Sequence, residues 1–130
     1  MKKRELFSSG APWENVVGYS RAVRVNNVIE ISGTTAVDGD TIIGKNDVYE
    51  QTVFILNKIK KTLEDAGSRM EDVARSRMYV TDISQWEKVA KAHALFFKDI
   101  KPATSMVEVS SLIDKELLIE IEITAIVAED

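Results

Sequence analysis

Hydrophobic positions along the chain change period several times, and each change marks an element. From Ser20 to Val25 and from Val28 to Val37 the chain is rich in β-branched residues, and the two runs meet at Asn26-Asn27, a pair that tolerates the positive φ of a tight turn. This predicts a hairpin. Asp38-Gly39-Asp40 makes a second turn, and Thr41 to Ile43 follow as a short edge strand before Gly44. The period then lengthens to that of a helix: Val48, Thr52, Ile55, Leu56, Ile59 and Leu63 recur on one face. Asp47 with Glu50 has the form of a capping box, and Gly67 stops the helix near Ala66. Arg75 to Val80 reads as strand. A second capping box, Ser84 with Glu87, opens a helix whose Trp86, Val89, His93, Phe96 and Phe97 share a face, and Pro102 closes it. Ser105 to Ser110 and Leu117 to Val127 are the last strands, with Ile119, Ile121 and Ile123 alternating against Glu120, Glu122 and Thr124. Residues 1–15, which carry Ser8, Ser9, Gly10 and Pro12, read as irregular with a short strand around Leu6.

The order is β-β-(β)-α-β-α-β-β, an α+β pattern over a single domain of residues 1–130 with a mixed β-sheet. Each helix is expected to cross over between parallel strands and to pack on one face of the sheet. Alternation places Ile119, Ile121, Val107 and Val109 under the helices. The other face then presents Ser32, Thr34, Arg75, Arg77, Tyr79, Met106, Glu108, Glu120 and Glu122. Such a face is too apolar for plain solvent surface and too charged for a closed core. It is expected to pack against copies of itself, with Arg and Glu paired across the interface.

Composition narrows the chemistry. A chain of 130 residues is long enough to bury a core without staples. With no cysteine there is no disulfide framework, no thiolate nucleophile and no iron–sulfur or zinc–thiolate site. Lys+Arg 17 against Asp+Glu 21 gives a net charge of −4, without the basic face that nucleic acid requires. No uncharged run approaches the length of a membrane span. Lys2, Lys3 and Arg4 resemble the start of a signal peptide, but Glu5 follows and no apolar segment comes after it, so a cytoplasmic protein is expected.

Several ordered motifs carry a resemblance: Gly18-Tyr19-Ser20-Arg21-Ala22-Val23, Ile31-Ser32-Gly33, the Asp47 helix, Met78-Tyr79-Val80-Thr81-Asp82, Pro102-Ala103, Val107-Glu108-Val109 and Ile119-Glu120-Ile121-Glu122. Together, over residues 16–127, they resemble the YjgF/RidA family, also labelled endoribonuclease L-PSP. The resemblance implies the chorismate-mutase-like α+β fold, assembled as a homotrimeric barrel with clefts between subunits. It also implies a function for the best-known branch: hydrolysis of reactive enamines and imines to a carbonyl compound and ammonia, with no metal or organic cofactor. Carried over by position, Glu120 is the implied water-activating residue, and Tyr19, Ser32 and Gly33 fall on cleft positions. In that branch a Pro-Ala-Arg motif holds the substrate carboxylate, whereas this chain reads Pro102-Ala103-Thr104, and threonine supplies neither the charge nor the paired donors. Ala90 and Met106 also depart from that branch, where asparagine and cysteine are common.

Two further readings stand beside the deaminase: a non-catalytic metabolite-binding or regulatory trimer, and an endoribonuclease. Glu120, like Glu108 and Glu122, also fits an ion-pair role on its strand. Arg77, mid-strand on the uncovered face, is a candidate for the cation that Thr104 does not provide, and equally for an interface salt bridge. Ser32 lacks a nucleophile elbow and reads as a hydrogen-bonding residue. His93, the one histidine, reads as a half-buried helix residue, and a single histidine makes no metal site.

Overall fold

In the computed structural model, which describes residues 3–128, a six-stranded mixed sheet carries two long helices. In chain order the elements are β1 (Arg4–Phe7), α1 (Pro12–Val17), β2 (Ala22–Val25), β3 (Val28–Thr34), β4 (Val37–Asp38), β5 (Thr41–Ile42), α2 (Val48–Asp65), β6 (Val73–Val80), α3 (Trp86–Phe97), β7 (Ala103–Glu108) and β8 (Ile119–Ile126). The sheet order is β1-β2-β3-β8-β6-β7, and β4 and β5 form a separate two-stranded ribbon. Strand β8 lies antiparallel to both β3 and β6, so those two run the same way and α2 crosses between them. Strands β6 and β7 pair in parallel across α3. The α+β class and mixed sheet expected from the pattern are thus observed. Lys2 of the basic start lies outside the described residues.

The core follows from two periodicities. Every residue of the Val48-to-Leu63 stripe is buried in α2, whose first turn is capped by Asp47, accepting from Glu50 N at 3.0 Å. Against it lie Ile119, Ile121, Ile123 and Ala125 of β8, all fully buried. The β2–β3 turn places Asn26 at φ 54°, as the Asn-Asn pair predicts. A polar pin sits inside this core: Gln51 is fully buried, donates to Glu116 O at 2.9 Å and accepts from Leu118 N at 2.8 Å. It fixes the chain where β8 begins.

Five local expectations are corrected. The segment expected to be irregular contains α1, because Pro12 sits in the first turn, where its missing N–H costs nothing, and Gly18 closes the helix at φ 89°. A helix this short has no readable period. Strand β3 ends at Thr34, and Val37 leaves to pair with Ile42 in the ribbon, so Thr41–Ile42 is not an edge of the main sheet. A register break between Ile31 and Thr34 turns Thr34 into the core, where it is 2% exposed. Ser84 does not cap α3: Asp82 accepts from Ser84 N and caps a short 3-10 turn, α3 begins at Trp86, and Trp86 is 51% exposed. Finally, the two faces of β7 are exchanged. Met106 is in register with buried Met78 and packs on the core, whereas Val107, in register with Tyr79, is 47% exposed. Glu108 likewise turns to the helix side and accepts from Ile83 N. Alternation separates two faces but does not say which is inside, and an edge strand has too little burial contrast to decide.

Replacing Gln51 with Ala leaves Leu118 N–H and Glu116 C=O without their buried partner. Urea unfolding at matched protein concentration is expected to show a loss of about 1–3 kcal/mol. No measurable loss would mean that the pin is dispensable.

Candidate functional site

The register break in β3 builds the most unusual local arrangement in the molecule. Gly33 lies within the break, and a Cβ added there would collide with the Glu120 carboxylate on β8. Only glycine lets that carboxylate come so close to a backbone. Around it, Ser32 donates from N to Arg21 O (3.0 Å) and from Oγ to Ser20 O (2.7 Å), while Arg21 Nη2 donates to Gly33 O (2.6 Å). The Tyr19 ring lies 5.9 Å from the Arg21 guanidinium carbon, within cation–π range. Glu14 of α1 anchors the start of this segment: Gly18 N and Tyr19 N donate to its carbonyl oxygen, and its own side chain is 7% exposed.

Electrostatics separate the carboxylates here. Burial, reinforced by the Glu122 charge, pushes the Glu120 carboxyl above the usual glutamate range, and Arg21 only partly opposes it. Burial pushes Glu14 up as well, but hydrogen bonds from the Ser9 and Ser8 hydroxyls and Ser9 N outweigh it and hold Glu14 below that range. Glu122 receives a hydrogen bond from the Tyr79 hydroxyl at 2.9 Å, and this bond is the main cause of the raised Tyr79 pKa. Arg77 is in register with Glu122 and Ser105 on this same uncovered face.

The other sequence candidates lie on the opposite side of the sheet. Thr104 and Met106 border a cleft of about 410 Å³ between β7 and α3, with Met78, Ala90, His93 and Phe97. Thr104 Oγ1 donates back to Pro102 O at 2.9 Å. His93 Nε2 is 3.1 Å from the Oγ of fully buried Ser76, its ring packs 4.5 Å from Phe97, and burial lowers its pKa. Strand β6 separates β7 from β8, so about two strand spacings, roughly 10 Å, and the thickness of the sheet divide Thr104 from Glu120 within one chain. The structure therefore groups Tyr19, Ser32, Gly33 and Glu120, places Arg77 farther across the same face, and sets Thr104 and Met106 apart. Arg21 and Glu14 were not singled out from sequence. The one available signal was a charged residue interrupting the β-branched run beside Tyr19.

Among the described residues, no group of three or more His, Asp or Glu side chains is placed to hold a metal ion, and no helix is long and apolar enough to cross a membrane.

The chain is thus an α+β domain with a glycine-backed carboxylate at a strand bulge and a second cleft beside an edge strand. Comparison with known proteins identifies the class more closely. The model of the family described as Endoribonuclease L-PSP matches residues 10–127. A RutC family protein of Pyrococcus abyssi is 36% identical over 126 residues, covering 96% of this chain and 98% of that protein. Among solved structures, a Mycobacterium tuberculosis member of the YjgF/YER057c/UK114 family is 45% identical, with a TM-score of 0.88, covering 96% of this chain and 100% of that one. A protein of the conserved Rid family from Yersinia pestis is 30% identical, with a TM-score of 0.83 and coverage of 96% and 100%. The chain belongs to the YjgF/Rid family described by the Endoribonuclease L-PSP model.

Two outcomes follow from this geometry. A Gly33→Ala substitution is expected to displace Glu120 and weaken any ligand held there, while circular dichroism of the folded protein stays native. An unchanged Glu120 position in a crystal structure of that variant would contradict the close-approach argument. Because the folded pKa of Glu14 is depressed, its contribution to stability is present above the unfolded value and is lost as pH falls through the folded one. Glu14→Gln is therefore expected to lower stability at neutral pH and to flatten the acid limb, read by thermal melts from pH 7 downward.

Proposed function

We propose that this chain assembles as a homotrimer whose inter-subunit clefts bind a small carbonyl- or imine-type metabolite and hydrolyse a reactive enamine or imine to the carbonyl compound and ammonia. The observation that carries this reading is Glu120: half-buried, raised in pKa and packed against Gly33. A carboxylate so placed is suited to take a proton from water as the oxygen attacks the imine carbon. Glu120 then returns that proton to nitrogen to give the neutral carbinolamine; the remaining hydroxyl proton passes through the same carboxyl to nitrogen, the C–N bond breaks, and ammonia leaves as the carbonyl forms. The trimer is supported by the uncovered face, where Arg77, Tyr79, Val107 and Glu122 lie together, half-buried or exposed. It is supported also by the separation of the two candidate regions. A neighbouring copy that brings its Thr104–Met106 cleft to this chain's Glu120 would close one pocket from both. Neither half requires a metal or an organic cofactor for the step described.

Thr104 favours a second reading, a metabolite-binding or regulatory trimer that performs no reaction, because the cations lining its cleft are the point charges of Lys98 and Lys101 and not a bidentate guanidinium fork. Ribonuclease activity, suggested by the family description, is the weakest reading on a chain with net charge −4.

Ammonia release from freshly generated 2-iminopropanoate and 2-iminobutanoate distinguishes these readings. Wild type is expected to be active and Glu120→Gln to lose about 10²–10⁴-fold in kcat, with its assembly intact by light scattering. Full activity in Glu120→Gln would remove the proposed base. Activity should also fall as pH drops through the raised Glu120 pKa, since the base must be ionised. Removing the neighbouring charge with Glu122→Gln is expected to move that limb to lower pH.

A further inference from the structure

We propose that helix α1 is a clasp between copies of this chain: its outward apolar face, Trp13, Val16 and Val17, seats in the groove beside Trp86 and Ala90 on α3 of a neighbouring copy and roofs the Thr104 cleft there. The inference rests on the trimer reading and adds the contact that closes each cleft.

Helix α1 is amphipathic the wrong way round. Trp13, Val16 and Val17, at the i, i+3 and i+4 spacing of one helix face, are 57%, 74% and 68% exposed, whereas the residue that the helix buries is the acid Glu14. Its orientation is fixed. Glu14 Oε1 accepts from Ser8 Oγ, Oε2 accepts from Ser9 N and Oγ, and the Glu14 carbonyl closes the last turn by accepting from Gly18 N and Tyr19 N. Six residues are too few to hold a helix unaided, so these bonds keep three large apolar side chains in water on a rigid base. A contiguous apolar arc of that kind marks an interaction surface.

The matching surface lies on α3. A cavity of about 550 Å³ lined by Trp86, Glu87, Lys88, Ala90 and Lys91 runs along that helix, and Ala90 also lines the Thr104 cleft, so the groove is the outer mouth of the cleft. Trp86 is exposed, Ala90 leaves room for an incoming side chain, and the stems of Lys88 and Lys91 offer apolar walls whose charges stay in water. The outward arc of α1 carries no charge to oppose them.

Sheet topology excludes a contact within one chain. Helix α1 joins β1 to β2 at one edge of the sheet, and α3 leads into β7 at the other, with five strand spacings, roughly 24 Å, between those edges. Complementary patches at opposite edges of one subunit make a head-to-tail contact, which repeats into a ring when the rotation closes. Through the bond from Tyr19 N to Glu14 O, α1 flanks the Gly33–Glu120 half of the site, as the α3 groove flanks the Thr104 half. Where those halves meet, their flanks meet as well.

Val16→Cys combined with Lys91→Cys places the only two thiols of the chain on these surfaces. A short bismaleimide is expected to give covalent dimers and trimers from the double variant on a denaturing gel, and none from either single variant. Monomers alone from the double variant, in a solution that light scattering shows to be trimeric, would overturn the clasp and leave the trimer reading standing. A lone chain by light scattering at every concentration would overturn both. The roof is read on Thr104→Cys, a position exposed in one chain by itself. In the assembled protein, maleimide labelling of that thiol is expected to be several-fold faster when Trp13→Ala is added, whereas Trp13→Phe keeps it protected. Equal rates with and without Trp13→Ala in an intact assembly would overturn the proposal. If Trp13→Ala abolishes assembly while its circular dichroism stays native, the contact is supported; if that variant unfolds, the cross-linking pair decides.

Discussion

The contact between the Glu120 carboxyl and the backbone of Gly33 depends on the break in register between β3 and β8, and the candidate site depends on that contact. In an unbroken antiparallel pair, a glutamate on the uncovered face would stand clear of its neighbour strand and be hydrated. At the break, one residue without a side chain lets the carboxyl lie against the sheet and lose part of its water. Its raised pKa, the Arg21 bond to Gly33 O and the placement of Tyr19 all follow from that local geometry.

The sheet that supports this arrangement also divides the chemistry. The helices and the Ile-rich face of β8 form the core on one side, while the other side presents charged and aromatic residues that a lone chain leaves uncovered. Thr104 and Met106 face the first side, beside α3, and Glu120 faces the second. In the assembly we propose, the face with Arg77 and Glu122 would be covered, and each cleft would draw on two chains.

Elements with strong contrast between buried and exposed positions were legible from sequence. The α2 stripe, its Asp47 cap, the Asn26-Asn27 turn and the alternation of β8 each had one dominant signal, and the structure agrees with all four. Helix α1 had no such signal, since its six residues span less than two turns. The faces of β7 were exchanged because edge position halves the contrast between Met106 and Val107. Among the site residues, Glu120, Gly33, Ser32 and Tyr19 were reached through motif resemblance, and the structure places them together. Arg21 was not, because its position depends on a carbonyl that the β3 break turns toward it, and no local sequence pattern encodes that bond.

In the proposed trimer the Gly33–Glu120 region of one copy meets the Thr104 region of another. The natural chain contains no cysteine, so a double variant, Ser32→Cys with Thr104→Cys, carries only the two thiols introduced. Treatment with a short bismaleimide, read on a denaturing gel, is predicted to give covalent dimers and trimers, with neither single variant forming trimers. Only monomers, with both thiols linked within one chain or left unlinked, would contradict the account.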